Sequence, residues 1–127
     1  MWLFLDIGYF SVVASERNLP QLTVRARAQE DLDNLRREYL PELGETICTP
    51  GGDYAFRALV SREDFTEGLA RFVDQLDYPN FKNRVKEKQG EDRASIYMRV
   101  WGVLVDAFKT GYYAAWQEAG FFNRGLS

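Results

Sequence analysis

The chain contains no histidine and a single cysteine, Cys48. The first absence removes the ordinary general base near neutral pH, the commonest zinc ligand and the imidazole of Ser and Cys triads. The second excludes an internal disulfide and a thiolate zinc cluster, and points weakly to a reducing compartment. No run approaches the ~20 apolar residues of a membrane span. The apolar start, Met1 to Leu5, is too short for a signal peptide and lacks a basic leader. A cytoplasmic location with no membrane association is expected. Positive charge is also short: the net charge is −3 and the pI about 5.0. That balance argues against nucleic acid as a general partner, because phosphate binders carry excess cations to displace counterions. No G-x-G-x-x-G or P-loop pattern is present, so no cofactor and no metal is expected.

What remains is a chain of 127 residues, 46% hydrophobic and 15% aromatic. This is too apolar for disorder and long enough to bury roughly two-thirds of its unfolded surface. Trp2 to Leu5 and Tyr9 to Ala14 read as a β-hairpin or as one long bulged strand, with Gly8 permitting the positive φ of a tight turn. In Leu22 to Arg27, the residues Leu22, Val24 and Ala26 share one face, and Thr23, Arg25 and Arg27 the other. Gln29 to Leu40 is helical, with acids early and Arg36 and Arg37 late, as the dipole prefers. Glu45 to Thr49 is a short strand. In Tyr54 to Val60 the alternation sets Tyr54, Phe56, Ala58 and Val60 against Ala55, Arg57 and Leu59. Ser61 caps a helix in which Phe65, Leu69, Phe72, Val73 and Leu76 recur at helical spacing. Phe81 to Lys88 is a short basic helix. A long helix runs from about Asp92 to Lys109, with an apolar surface wider than half-burial requires. No linker or repeat appears, so residues 1–127 are expected to form one domain. The expected fold is α+β: an antiparallel sheet of four to five strands with helices on one face, ferredoxin-like or a related plait, and a long C-terminal helix.

Met1-Trp2, Gly8, Ser11-Val12-Val13, Leu22 to Arg27, Thr49-Pro50, Asp53-Tyr54, Phe56-Arg57, Val60-Ser61-Arg62, Asp77 to Lys82, Tyr97 and Val100-Trp101 together form a pattern. It resembles a family of small hypothetical proteins of bacteria and their phages, over residues 1 to about 101. The resemblance implies a bacterial, plasmid or phage origin. It implies no activity and supplies no catalytic residue.

Four constellations carry possible chemistry. Arg25, Arg27 and Arg57 share a patch if their strands are neighbours, and arginine suits bidentate binding of carboxylate or phosphate. The plainer alternative is that they lie over the sheet and pair with acids. Lys82, Arg84, Lys86 and Lys88, beside Tyr78 and Phe81, spread around their helix and read as a solvated surface. The tail from 109 to 127 carries Tyr112, Tyr113, Trp116, Phe121 and Phe122, which either fold back on the chain or form a partner or homodimer interface. Glu63, Asp64 and Glu67 cluster at a helix start, followed by Asp74 and Asp77; two carboxylates can perform acid–base work or hold magnesium, but acids in a first helical turn already have a structural purpose, and Cys48 reads as a small buried apolar residue. The expectation is therefore a non-enzymatic binding or regulatory protein acting by protein–protein contact, such as an inhibitor of a host defence complex of the CRISPR type. A small anionic-ligand or nucleotide-binding domain is the first alternative, and a metal-dependent nuclease or hydrolase the second.

Overall fold

A computed structural model describes residues 1–17 and 20–109. The hairpin is present as β1 (Trp2–Leu5) and β2 (Gly8–Ala14), joined at Asp6-Ile7. Gly8 is not at positive φ, which among the described glycines occurs at Gly51 and Gly90. Its requirement is steric instead. A Cβ there would stand 2.8 Å from Cγ of Asp31 and 3.0 Å from the Phe10 ring. Asp31 is held on three sides (below) and has no room to yield. Gly8→Ala is accordingly expected to cost about 1–3 kcal/mol, the usual range for overpacking, in a denaturant titration.

The alternating segment that follows is β3 (Gln21–Ala26), then α1 (Gln29–Glu38), β4 (Ile47–Cys48) and β5 (Phe56–Ser61). The sheet has the order β1-β2-β3-β5-β4, and every neighbouring pair is antiparallel. β3 and β4 therefore run parallel with β5 between them. β3–α1–β4 is the split β-α-β unit of a ferredoxin-like plait, here extended on its other side by the N-terminal hairpin. β4 is a two-residue edge strand, and Cys48 on it is exposed rather than buried. Both residues of this edge strand are exposed, so the alternation that would bury a cysteine in a central strand does not apply.

α2 (Arg62–Asp74) begins at Ser61, whose Oγ accepts the Asp64 N–H at 3.0 Å, as the sequence predicts. Phe65 and Phe72 of α2 join Leu32 and Leu35 of α1, with Phe10, Val12, Val24, Ala26, Ala58 and Val60 from one sheet face, in the main core. Val73 and Leu76, expected in that stripe, are exposed. α2 ends at Asp74, before Leu76, and its last buried residue is Phe72.

The remaining helices, α3 (Phe81–Gln89) and α4 (Glu91–Lys109), are joined at Gly90, where φ is 90°. They make a second small core of Val85, Ala94 and Tyr97 against Phe4 and Tyr9. Phe4 and Tyr9 are register partners on the sheet face opposite Leu3 and Phe10. The long helix thus lies over the β1–β2 end of the second face, and among the described residues no helix covers the β3–β5 part of that face. Among the described residues no helix is long and apolar enough to cross a membrane.

Two buried carboxylates fasten this helical pair. Asp31, 2% exposed, accepts both terminal nitrogens of Arg93 at 2.9 and 3.0 Å and the Tyr9 N–H at 3.1 Å. Asp6 accepts Nε of Arg84 at 3.0 Å, while its backbone carbonyl accepts the Gln89 amide at 2.6 Å. The Tyr97 hydroxyl donates to the Leu5 carbonyl at 3.1 Å, and burial pushes its pKa to about 12. An unfolded tyrosine ionises near 10, so above that pH the unfolded state binds fewer protons than the native one and stability falls. The contribution of Tyr97 is present in full below about pH 10 and lost by about pH 12. Tyr97→Phe should flatten that part of the stability–pH curve, as thermal melts of the two proteins between about pH 9 and 12 would show.

Candidate functional site

On the open face, Arg25 of β3 stands directly opposite Arg57 of β5. Opposed residues in an antiparallel pair have Cβ atoms about 4.5–5.5 Å apart, and like charges so placed are destabilising. No carboxylate intervenes among the described residues. One terminal nitrogen of Arg25 donates to the buried Ser11 Oγ at 2.7 Å. Arg57 has no hydrogen-bonding or ionic partner among the described residues, and Nε of both arginines is buried and unsatisfied. The sheet thus holds two cations together without neutralising them.

Arg27, the third expected member, is on the same face of β3 and more exposed. It reaches Asp53 at 3.2 Å, with both side chains largely in solvent. An exposed pair of this kind contributes about 0–1 kcal/mol and yields readily to a competing anion. Arg25, Arg27 and Arg57 therefore share one surface, as their alternation requires. Among the described residues no carboxylate pairs with Arg25 or Arg57, whereas Arg27 does pair with an acid.

What the sequence reading missed is the aromatic support. The guanidinium carbons of Arg25 and Arg27 lie 4.8 and 4.5 Å from the Tyr54 ring centroid, and Arg27 also lies 5.7 Å from that of Tyr9. The two tyrosine hydroxyls are 3.2 Å apart. Alternation assigned Tyr54 to the core side with Phe56. β5 begins only at Phe56, and the chain bends over Gly52 to Tyr54, with the Tyr54 ring against the arginines. Cation–π contact in a partly desolvated place contributes about 1–2 kcal/mol. Here it holds two guanidiniums in fixed planes ahead of any ligand. The hydrogen bond between the hydroxyls lowers the Tyr54 pKa, with help from Ser11 and the charge of Arg27. Burial raises that of Tyr9, followed by the bond to Tyr54. With both hydroxyls protonated, either can donate to the other.

The rings continue toward the long helix. Tyr9 stacks on Phe4 at 4.6 Å, and Phe4 meets Tyr97 edge-on at 5.4 Å. Tyr97 stacks on Phe81 at 5.8 Å and Phe81 on Tyr78 at 6.2 Å. The arginine face is thus braced, ring by ring, against α3 and α4.

The other expected groups do not assemble a site. Lys86 pairs with Glu91 at 2.9 Å and Lys88 with Glu38 at 3.5 Å, whereas Arg84, expected on the same solvated surface, is instead turned inward onto the buried Asp6. Glu67 approaches Arg71 at 3.7 Å, and among the described residues no three carboxylates or thiols converge as metal ligands. Tyr112, Tyr113, Trp116, Phe121 and Phe122 lie outside the described residues. No family model, curated protein or solved structure matches this chain.

Proposed function

We propose that this protein is a non-enzymatic binding module that grips an anionic group, phosphate or carboxylate, between Arg25 and Arg57, with Arg27 as a third and more exposed cation. The observation that carries this reading is the cross-strand pair of unneutralised arginines. A like-charged pair costs stability in the free protein, and a bound anion converts that repulsion into two charge-assisted contacts. The contact of Tyr54 with Arg25 favours bidentate geometry at that member of the pair, since less side-chain freedom is left to lose on binding. A regulatory role by protein–protein contact would use the same face, setting these cations against an acidic patch of the partner.

The test is a titration of the isotope-labelled protein with inorganic pyrophosphate, following the arginine Nε–H signals. Saturable shifts are expected at Arg25 and Arg57. None is expected at Arg36, whose Nε already donates to the Leu43 carbonyl at 3.3 Å. Equal, non-saturating drift at all arginines would refute the site.

A further inference from the structure

Beside the arginine pair is a cleft of about 470 Å³ whose lining includes Trp2, Tyr9, Arg27, Ile96, Tyr97 and Val100. Its volume falls in the range of small-ligand sites, which run from about 300 to 1,000 Å³. One wall is the hairpin and the other is α4. Trp2 is 68% exposed and Ile96 52% exposed, although the Trp2 ring meets Tyr9 edge-on at 6.2 Å. The second arginine in the cleft, Arg93, is occupied by Asp31. The cleft therefore offers flat apolar walls and few free donors, with Arg27 standing between it and the arginine pair.

The spacing to that pair follows from the register. Ser11, two residues along β2 from Tyr9, is the partner of Arg25, which is the partner of Arg57. A rise of ~3.4 Å per residue and ~4.8 Å between strands put the arginine pair about 10 Å from Tyr9. A ligand that fills both places has a flat ring at one end and several negative charges stretching about 10 Å away, a length set by the same spacings.

We propose that the cleft and the arginine pair form one site for a nucleoside polyphosphate. The base sits between Trp2 and α4, Arg27 meets the first phosphate, and Arg25 and Arg57 hold the terminal ones. This rests on the anion-binding reading of the arginine face and adds the ring to it. Stacking walls without free hydrogen-bonding groups do not distinguish one base from another, since every base presents a π face.

The test is calorimetric titration of the full chain, without magnesium, with ATP, GTP, AMP, inorganic tripolyphosphate and a single-stranded oligodeoxyadenylate. ATP and GTP are expected to bind within about threefold of each other and at least about tenfold more tightly than AMP or tripolyphosphate, tenfold being about 1.4 kcal/mol. Trp2→Ala, a change at an exposed side chain, should bring ATP down to the level of tripolyphosphate and leave tripolyphosphate unaffected. Arg57→Gln should weaken both. If ATP binds no better than tripolyphosphate, or Trp2→Ala changes nothing, the nucleotide inference fails and the anion site stands. Binding of none of the phosphates would remove both. Binding of the oligonucleotide without ATP would overturn the proposal in favour of a single strand.

Discussion

Replacing Asp31 with alanine is expected to destabilise the protein by about 3 kcal/mol in a urea titration. The figure is the low end for removing one partner of a buried ion pair, taken because Arg93 keeps 24% of its side-chain surface. The variant leaves the Arg93 guanidinium without either of its bonds to the carboxylate and the Tyr9 N–H without its acceptor. Both losses fall where α4 is fastened to the hairpin. Amide exchange should therefore quicken first in α3 and α4, while β3 and β5 stay protected. Replacing both partners together, Asp31→Leu with Arg93→Leu, should recover much of the loss, since an apolar pair of similar volume has no buried charge to satisfy. A cost below about 1 kcal/mol for Asp31→Ala, the range of surface pairs, would mean that the helical pair is held by its rings alone.

The second large effect is on binding. Arg25→Glu with Arg57→Glu should weaken pyrophosphate binding at least about a hundredfold. Two charge-assisted contacts at about 1.5 kcal/mol each amount to that factor before the new repulsion is counted. The double variant keeps a like-charged cross-strand pair, so the register and the sheet should survive, with a melting temperature close to the parent's. A folded double variant that binds as the parent does would dismiss the arginine face as a site.

How far these features could be read from the sequence depended on how local their causes are. The two-residue period placed Arg25, Arg27 and Arg57 away from the apolar face, because pleat geometry alone decides that. Ser61 capped α2 where its position before the apolar stripe demanded. The hairpin was legible from its composition, but the reason for Gly8 was not. Its neighbour Asp31 is distant in the sequence and reaches it only through packing of α1 on β2. Asp31 itself looked like an ordinary acid in a first helical turn, and nothing local announces that Arg93 will meet it. Tyr54 was placed on the wrong side because alternation was carried back beyond the true start of β5. Cys48 was placed inside because strand pattern does not reveal which strand forms an edge. Apart from Tyr54, whose cause is the local bend before β5, each miss comes from an arrangement of segments that are distant in sequence.

One substitution with two readouts on the same sample, Arg57→Glu followed by thermal melting and by pyrophosphate titration, goes straight to the cross-strand arginines. The introduced carboxylate would face Arg25 across β3 and β5, turning repulsion into attraction of a few tenths to about 1 kcal/mol. A higher melting temperature together with loss of binding is expected, the opposition found where a site is maintained at a cost to the fold. A lower melting temperature with binding unchanged would mean that the two guanidiniums neither strain the sheet nor hold an anion.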